Sequence, residues 1–324
     1  MRPGIVVVVA VSAAVGVLAW SFSPQRLVVD VPTQTLTLVR PQPPADMRMG
    51  VMHTGTMESQ AVFAYRGGGF EPRDFGMDVV IVEHPKGVLL FDAGFGRDLQ
   101  KHLQTVPALM RAISKVHVDP AGPVADQLSG ASLPLSKITG VVLTHAHWDH
   151  VSGLADLPGV PVWINEEERE FIEHGAHATA LARQLGELNY RTYRYDGGPY
   201  WGFPRSHDVF GDGSVVLVPA GGHTPGSTIA FIHTPDGKSY ALIGDVAWQR
   251  EGVELPAERP WMSRRMVDDD AEGVRRTLTH LHLLHKAAPE LIIVPAHDRR
   301  VMATLPPATR AQALREGADR SAYQ

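Results

Sequence analysis

The chain has 324 residues, 44% hydrophobic and 20% charged, ordinary proportions for a globular protein with room for a sizeable core. A net charge of -5 and the lack of any basic run exclude a phosphate-tracking groove, so no nucleic-acid partner is expected. With no cysteine, disulfides, thiolate metal sites and cysteine nucleophiles are excluded as well.

At the N-terminus, Arg2 precedes an uncharged apolar run from Ile5 to Trp20. Residues 1–23 therefore read as a signal peptide or an N-terminal membrane anchor, and either one places the rest of the chain outside the cytoplasm, periplasmic or secreted. Ala19-Trp20-Ser21 offers small residues at the spacing a peptidase uses, while the run is also near the length of a thin or tilted membrane span. Residues 24–46, rich in Pro and Thr, read as a linker, and 47–324 as the domain proper. In that domain Val79–Val82 and Val88–Phe91 flank His84-Pro85-Lys86-Gly87, a hairpin pattern. Four later runs also read as strands: Val141–Leu143, Val215–Val218, Tyr240–Ile243 and Leu291–Val294. Between the last two, Asp268-Asp269-Asp270 supplies a helix cap, Leu278, Leu281 and Leu284 an apolar face, and Pro289 a stop. Strands interleaved with helices predict an α/β fold whose strands are buried on both faces.

Each of the four later strands runs, within a few residues, into a metal-ligand type of side chain: His145, His223, Asp245 and His297. Strand ends along one edge of a layered α/β fold are where residues far apart in sequence converge. The first is a dense cluster, Thr144-His145-Ala146-His147-Trp148-Asp149-His150. His145 and His147, two apart in extended chain, project to one side and can share an ion, while Asp149 and His150 turn into a short helix and can reach a second. Four ligand-type residues at these positions bring no packing advantage, which sets the segment apart from a lone structural histidine. Imidazole and carboxylate ligands suit zinc, iron(II), manganese or cobalt alike.

These residues resemble the signature of the metallo-β-lactamase superfamily. His145, His147, Asp149 and His150 match its His-x-His-x-Asp-His motif. Gly222–Ser227 is similar to its third-histidine segment, Gly244-Asp245 to its bridging aspartate, and Pro295–Asp298 to its last ligand histidine. Phe91-Asp92-Ala93-Gly94 resembles the strand end that lies under the metals. The resemblance spans residues 79 to 298 and implies a four-layer αββα sandwich with the site at one sheet edge. It further implies two divalent ions, zinc first: His145, His147 and His223 on one, Asp149, His150 and His297 on the other, and Asp245 bridging. A hydroxide between the ions would then attack the substrate, with Asp149 orienting it.

Within the superfamily, true β-lactamases carry Cys or Ser where Asp245 stands, and flavodiiron oxygen reductases a glutamate where His147 stands. The set here resembles quorum-quenching N-acyl-homoserine lactonases most, which implies hydrolysis of lactones or related esters. Glyoxalase II-like thioesterases and organophosphate hydrolases are the alternative. One position departs from the lactonase pattern: Trp248 stands where a tyrosine usually assists the substrate carbonyl, and its indole N–H is the expected substitute. Two apolar segments are expected to contact substrate, one at Met52 and His53, the other at Tyr200 and Trp201. The expected partner is a small-molecule substrate, together with the membrane if the N-terminal run is retained, and a homodimer is left open.

Overall fold

The computed structural model describes residues 16–29, 38–175 and 177–308. Among the described residues two sheets form the centre of the molecule. The first comprises seven strands: β1 (Arg48–Met57), β2 (Phe75–His84), β3 (Gly87–Phe91), β4 (Val116–Val118), β5 (Ile138–Val142), β6 (Val162–Asn165) and β7 (Tyr190–Tyr193). Their order is β4-β1-β2-β3-β5-β6-β7, with β2 and β3 forming the expected hairpin and β3, β5, β6 and β7 running parallel. The second comprises β8 (His207–Asp208), β9 (Val215–Pro219), β10 (Thr228–His233), β11 (Ser239–Leu242) and β12 (Leu291–Val294), ordered β12-β11-β10-β9-β8.

Period-two alternation explains the layering. Val80, Val82, Leu89 and Phe91 of the first sheet meet Val215, Leu217, Ala230 and Ile232 of the second in a core between the sheets. Their neighbours Val79, Ile81 and Leu90 turn outward onto helices that carry Leu128, Leu154 and Ile172. On the far side Val216, Val218, Ile229 and Phe231 meet Leu278, Leu281 and Leu284 of the long helix Ala271–Ala287. The result is the αββα sandwich expected from the sequence. That long helix is capped by Asp270, whose side chain accepts from Glu272 N.

Two expectations are corrected here, at Tyr200 and Trp201 and at Met52. Tyr200 and Trp201 belong to the outer core, where Tyr200 Oη is 2.7 Å from His233 Nε2 and Trp201 Nε1 donates to Val39 O at 2.9 Å. Met52 is fully buried against the outer helices of the first sheet. Residues 24–46, expected as a linker, lie in their described parts along the domain: Leu27 N donates to Pro256 O at 2.9 Å, and Leu27 and Leu38 pack on the outer core. Residues 5–15 of the apolar run lie outside the described residues, while 16–22 are helical. Among the described residues no helix is long and apolar enough to cross a membrane.

Candidate metal centre

The C-terminal ends of β5, β9, β11 and β12 deliver the side chains. After β5 the chain runs through His145 and His147 into a one-turn helix, Trp148–Val151, that carries Asp149 and His150. Beyond β9, Gly222 has φ +150°, and a Cβ there would lie 2.4 Å from Val274 N, so only glycine lets the His223 loop approach the long helix. Past β11, Gly244 has φ +50° and turns Asp245 back toward the cluster. His297 follows β12.

Seven residues meet in three overlapping groups: His145, His147 and His223; His145, His150 and Asp245; Asp149, His150 and His297. Within each group the potential ligand atoms lie within 4.8 Å of one another. Asp245 sits in the middle, its carboxylate 3.4 Å from His150 Nε2, 3.4 Å from His223 Nε2, 3.1 Å from His297 Nε2 and 3.9 Å from His145 Nε2. Asp149 Oδ2 lies 3.6 Å from His297 Nε2.

The imidazoles are aimed by their outer nitrogens. His150 Nδ1 is 2.8 Å from Asp92 Oδ2, His223 Nδ1 2.8 Å from Asp268 Oδ1, and His297 Nδ1 2.8 Å from Gly76 O. An Nδ1–H given to these acceptors leaves each Nε2 lone pair pointing inward. Asp92 also accepts from Thr144 N at 2.7 Å, which ties β3 to the ligand loop.

Burial drives His145 and His147 well below the ordinary imidazole range, reinforced by the histidines beside them, and so favours the neutral, metal-binding form. Burial opposes charge on His150 and His297 too, but Asp92 and Asp245 at the first and Asp245 at the second outweigh it and raise both. For Asp245 burial is outweighed by His297, His150 and His145, which hold the carboxyl well below its usual value. His145 Nε2, His150 Nε2 and Asp245 Oδ1 are buried without a hydrogen-bond partner. Orphaned acceptors facing one another in the interior are costly unless a cation joins them, so the residues present fit divalent metal.

Three supporting residues escape sequence reasoning. Asp268 reads as part of a helix cap, yet Asp270 does the capping and Asp268 orients His223. Arg259, 3% exposed, pairs with Asp268, donates to Asp245 O at 2.5 Å and stacks over Trp248 at 4.9 Å. Glu168 is one of three acids in the first turn of the helix Glu166–His174, a place where such side chains are usually solvated. Its carboxylate is instead buried and accepts from Ala146 N (2.7 Å), Thr224 Oγ1 (2.6 Å) and Gly226 N (3.0 Å), which joins the two loops that carry His145, His147 and His223. Burial pushes it up to about 7 despite these donors.

A cavity of about 160 Å³ opens over His147, Asp149, His223, Asp245 and His297, walled by Met57, Phe75, Val106, Met110, Trp148, Trp248, Met266 and Val267. Met57, rather than Met52, is the β1 methionine that reaches it. His53 also lies outside its walls, with Nδ1 2.8 Å from Asp78 Oδ1. Trp248 does face the cavity, but its indole N–H donates to Asp245 Oδ2 at 2.7 Å instead of pointing at substrate. Trp248→Phe is therefore expected to weaken metal retention by about 10-fold and to change kcat/KM at saturating metal by less than about 10-fold. A fall of about 10²–10³-fold at saturating metal would return the N–H to the substrate carbonyl.

An αββα sandwich with histidines and aspartates gathered at its strand ends defines a class of metal-centred hydrolytic proteins, and sequence comparison places the chain within it. The family model described as the metallo-beta-lactamase superfamily matches residues 73–309, and the chain belongs to that superfamily. It is a metallo-hydrolase of that superfamily, with a cluster of histidines and aspartates that could hold metal. A probable metallo-hydrolase of Mycobacterium tuberculosis is 30% identical over 240 residues, 68% of this chain and 74% of that protein. An N-acyl homoserine lactonase of Agrobacterium fabrum is 20% identical over 262 residues, covering 78% of this chain and 94% of the relative. A solved N-acyl homoserine lactone hydrolase, with the product N-hexanoyl-L-homoserine at its catalytic metal center, superposes with a TM-score of 0.65. It shares 17% identity over 80% of this chain and 96% of its own, a likeness of fold alone.

Proposed function

We propose that the protein opens lactones or related neutral esters at a dinuclear centre, with N-acyl-homoserine lactones the first substrates to try. His145, His147 and His223 would hold one ion, Asp149, His150 and His297 the other, and Asp245 both. Zinc is the proposed metal, with iron, manganese and cobalt compatible with the same ligands. When bound, the ions supply a water nucleophile at neutral pH and stabilise negative charge on the attacked carbonyl.

The observation that carries the substrate proposal is the character of the cavity. None of its described lining residues is Lys or Arg, and its walls away from the cluster are largely Met, Val, Phe and Trp. Away from the proposed ions an anionic substrate would find no Lys or Arg to replace its lost hydration, whereas a neutral ring with an apolar acyl chain needs none. Asp149 lines the cavity as well as lying beside His297, so its carboxylate is placed to take a proton from water and return it to the leaving alkoxide. Trp248 and Phe75, ring centroids 5.3 Å apart, form a wall against which the acyl part can rest.

A turnover screen of the metal-loaded full chain tests this. Acyl-homoserine lactones and neutral aryl esters should exceed anionic thioesters in kcat/KM by about 10²-fold or more. Good turnover of thioesters or of phosphotriesters without lactone opening would move the enzyme to the alternative class. The Ile5–Trp20 run supports a further proposal, that the domain works outside the cytoplasm. Fractionation with a fused reporter that found a soluble cytoplasmic product with an intact N-terminus would contradict it.

A further inference from the structure

The part of the apolar N-terminal run that is described does not hang free of the domain. Arg66, 1% exposed, donates from Nη2 to Trp20 O (2.6 Å) and Ser23 Oγ (3.2 Å), from Nε to Ser23 O (3.2 Å), and from Nη1 to Gln25 Oε1. Its guanidinium also lies over the Trp20 ring at 4.8 Å. Ser21, fully buried, accepts at Oγ from Met262 N at 3.2 Å. A buried guanidinium that loses such partners is strongly destabilising, so residues 20–25 are built into the fold and stay with it.

Around this docking point the surface is unusually apolar. Trp20, Phe63, Phe70, Trp261, Met262 and Met266 are between 37% and 77% exposed. Single exposed apolar residues are normal, but these are neighbours, and a contiguous patch marks an interaction surface. Phe22 and Phe63 meet edge to face at 5.9 Å, and Ser263 Oγ donates to Phe63 O at 3.3 Å. Val62 N donates to Gly69 O at 2.7 Å, which holds the Phe70 loop beside Phe63. Met262 and Met266 lie four residues apart on one face of the helix Trp261–Val267, with Arg265 exposed next to them. Met266 also lines the cavity over the metal cluster, so the patch is continuous with the cavity rim.

What covers the patch is indicated by the chain that enters it. From Ile5 to Trp20 there is no charged residue, and this segment reaches the domain at Trp20 and Ser21, inside the patch. We propose that the face formed by Trp20, Phe63, Phe70, Trp261 and Met262 rests on a lipid bilayer, with the cavity rim at Met266 turned toward it. Trp, Phe and Met at the acyl boundary and Arg265 at the headgroups are the residue types such an interface takes. Apolar substrates would then reach the metal centre from the membrane side. The inference concerns orientation and stands or falls separately from the reaction proposed above.

The absence of native cysteine makes a direct test simple. Full chains carrying Phe70→Cys, Met262→Cys or, at the opposite end of β11 from Asp245, Lys238→Cys are labelled with an environment-sensitive fluorophore. Each is mixed with phosphatidylcholine–phosphatidylglycerol vesicles, with and without spin-labelled lipid. Labels at 70 and 262 should blue-shift and be quenched about twofold or more by the spin-labelled lipid, while the label at 238 is unchanged. Chains that pellet with vesicles but show no quenching at 70 and 262 would mean a tether without a resting face, and would overturn the proposal. Shielding at 70 and 262 that appears without lipid and grows with protein concentration would assign the patch to a second copy instead, and would overturn it equally.

Discussion

Asp245→Ala should lose on the order of 10³-fold in kcat/KM and retain about one metal ion per chain or fewer. Asp245 is the side chain that faces both halves of the cluster, with carboxylate oxygens 3.1–3.9 Å from four imidazole nitrogens. Its removal leaves His145, His150, His223 and His297 around a space with no carboxylate shared by the two halves, so that two cations there repel each other with less screening. Asp245→Asn separates charge from shape: it keeps a ligand oxygen but removes the negative charge, and should fall between wild type and Asp245→Ala in metal content. Metal analysis and kinetics on the same samples decide the matter. A fully metallated, active Asp245→Ala protein would contradict the role assigned to this residue.

The second large effect is expected from a residue that touches neither metal nor substrate. Glu168→Ala should destabilise the protein by about 3–5 kcal/mol and lower metal content, because it strands three donors in the interior. Ala146 N lies between His145 and His147, and Thr224 and Gly226 follow His223. Asn165 strengthens the same junction: its Oδ1 accepts from Glu168 N at 2.8 Å and its Nδ2 donates to Gly226 O at 2.6 Å. Glu168→Gln keeps an acceptor but turns an NH₂ group toward a donor, so it should recover part of the stability and not all. Thermal unfolding of chelated and metal-loaded protein measures both. A Glu168→Ala chain within about 1 kcal/mol of wild type, with unchanged metal content, would show that the two ligand loops hold themselves.

How far the sequence could be read follows from the distance over which each signal acts. The convergence of the clustered histidines and aspartates was legible because they follow strand ends, and strand ends in a layered α/β fold share an edge. The hairpin at His84–Gly87 and the helix behind Asp270 were legible from local patterns. Aromatic and methionine segments were not, since composition says that a residue is buried and not which side of a sheet buries it. Trp201 looked like a pocket wall, but its N–H finds Val39 O, 162 residues earlier in the chain, on the outer face of the second sheet. Met52 and Met57 lie on the same strand, yet Met52 pairs with Val79 in the core and Met57 with Phe75 at the cavity wall. Asp268 was hidden by its neighbours, because three successive acids before a helix satisfy the capping pattern without showing that one points elsewhere. Residues 24–46 looked like a tether because Pro and Thr make no periodic pattern, although Leu27 and Leu38 pack on the outer core.

The dinuclear centre is the claim from which the proposed reaction follows, and its most direct test is a count of metal. Elemental analysis of the purified full chain, after supplementation and removal of free ions, should find close to two transition-metal ions per chain, more than one tetrahedral site can hold. One tightly held ion per chain, unchanged by further supplementation, would contradict it.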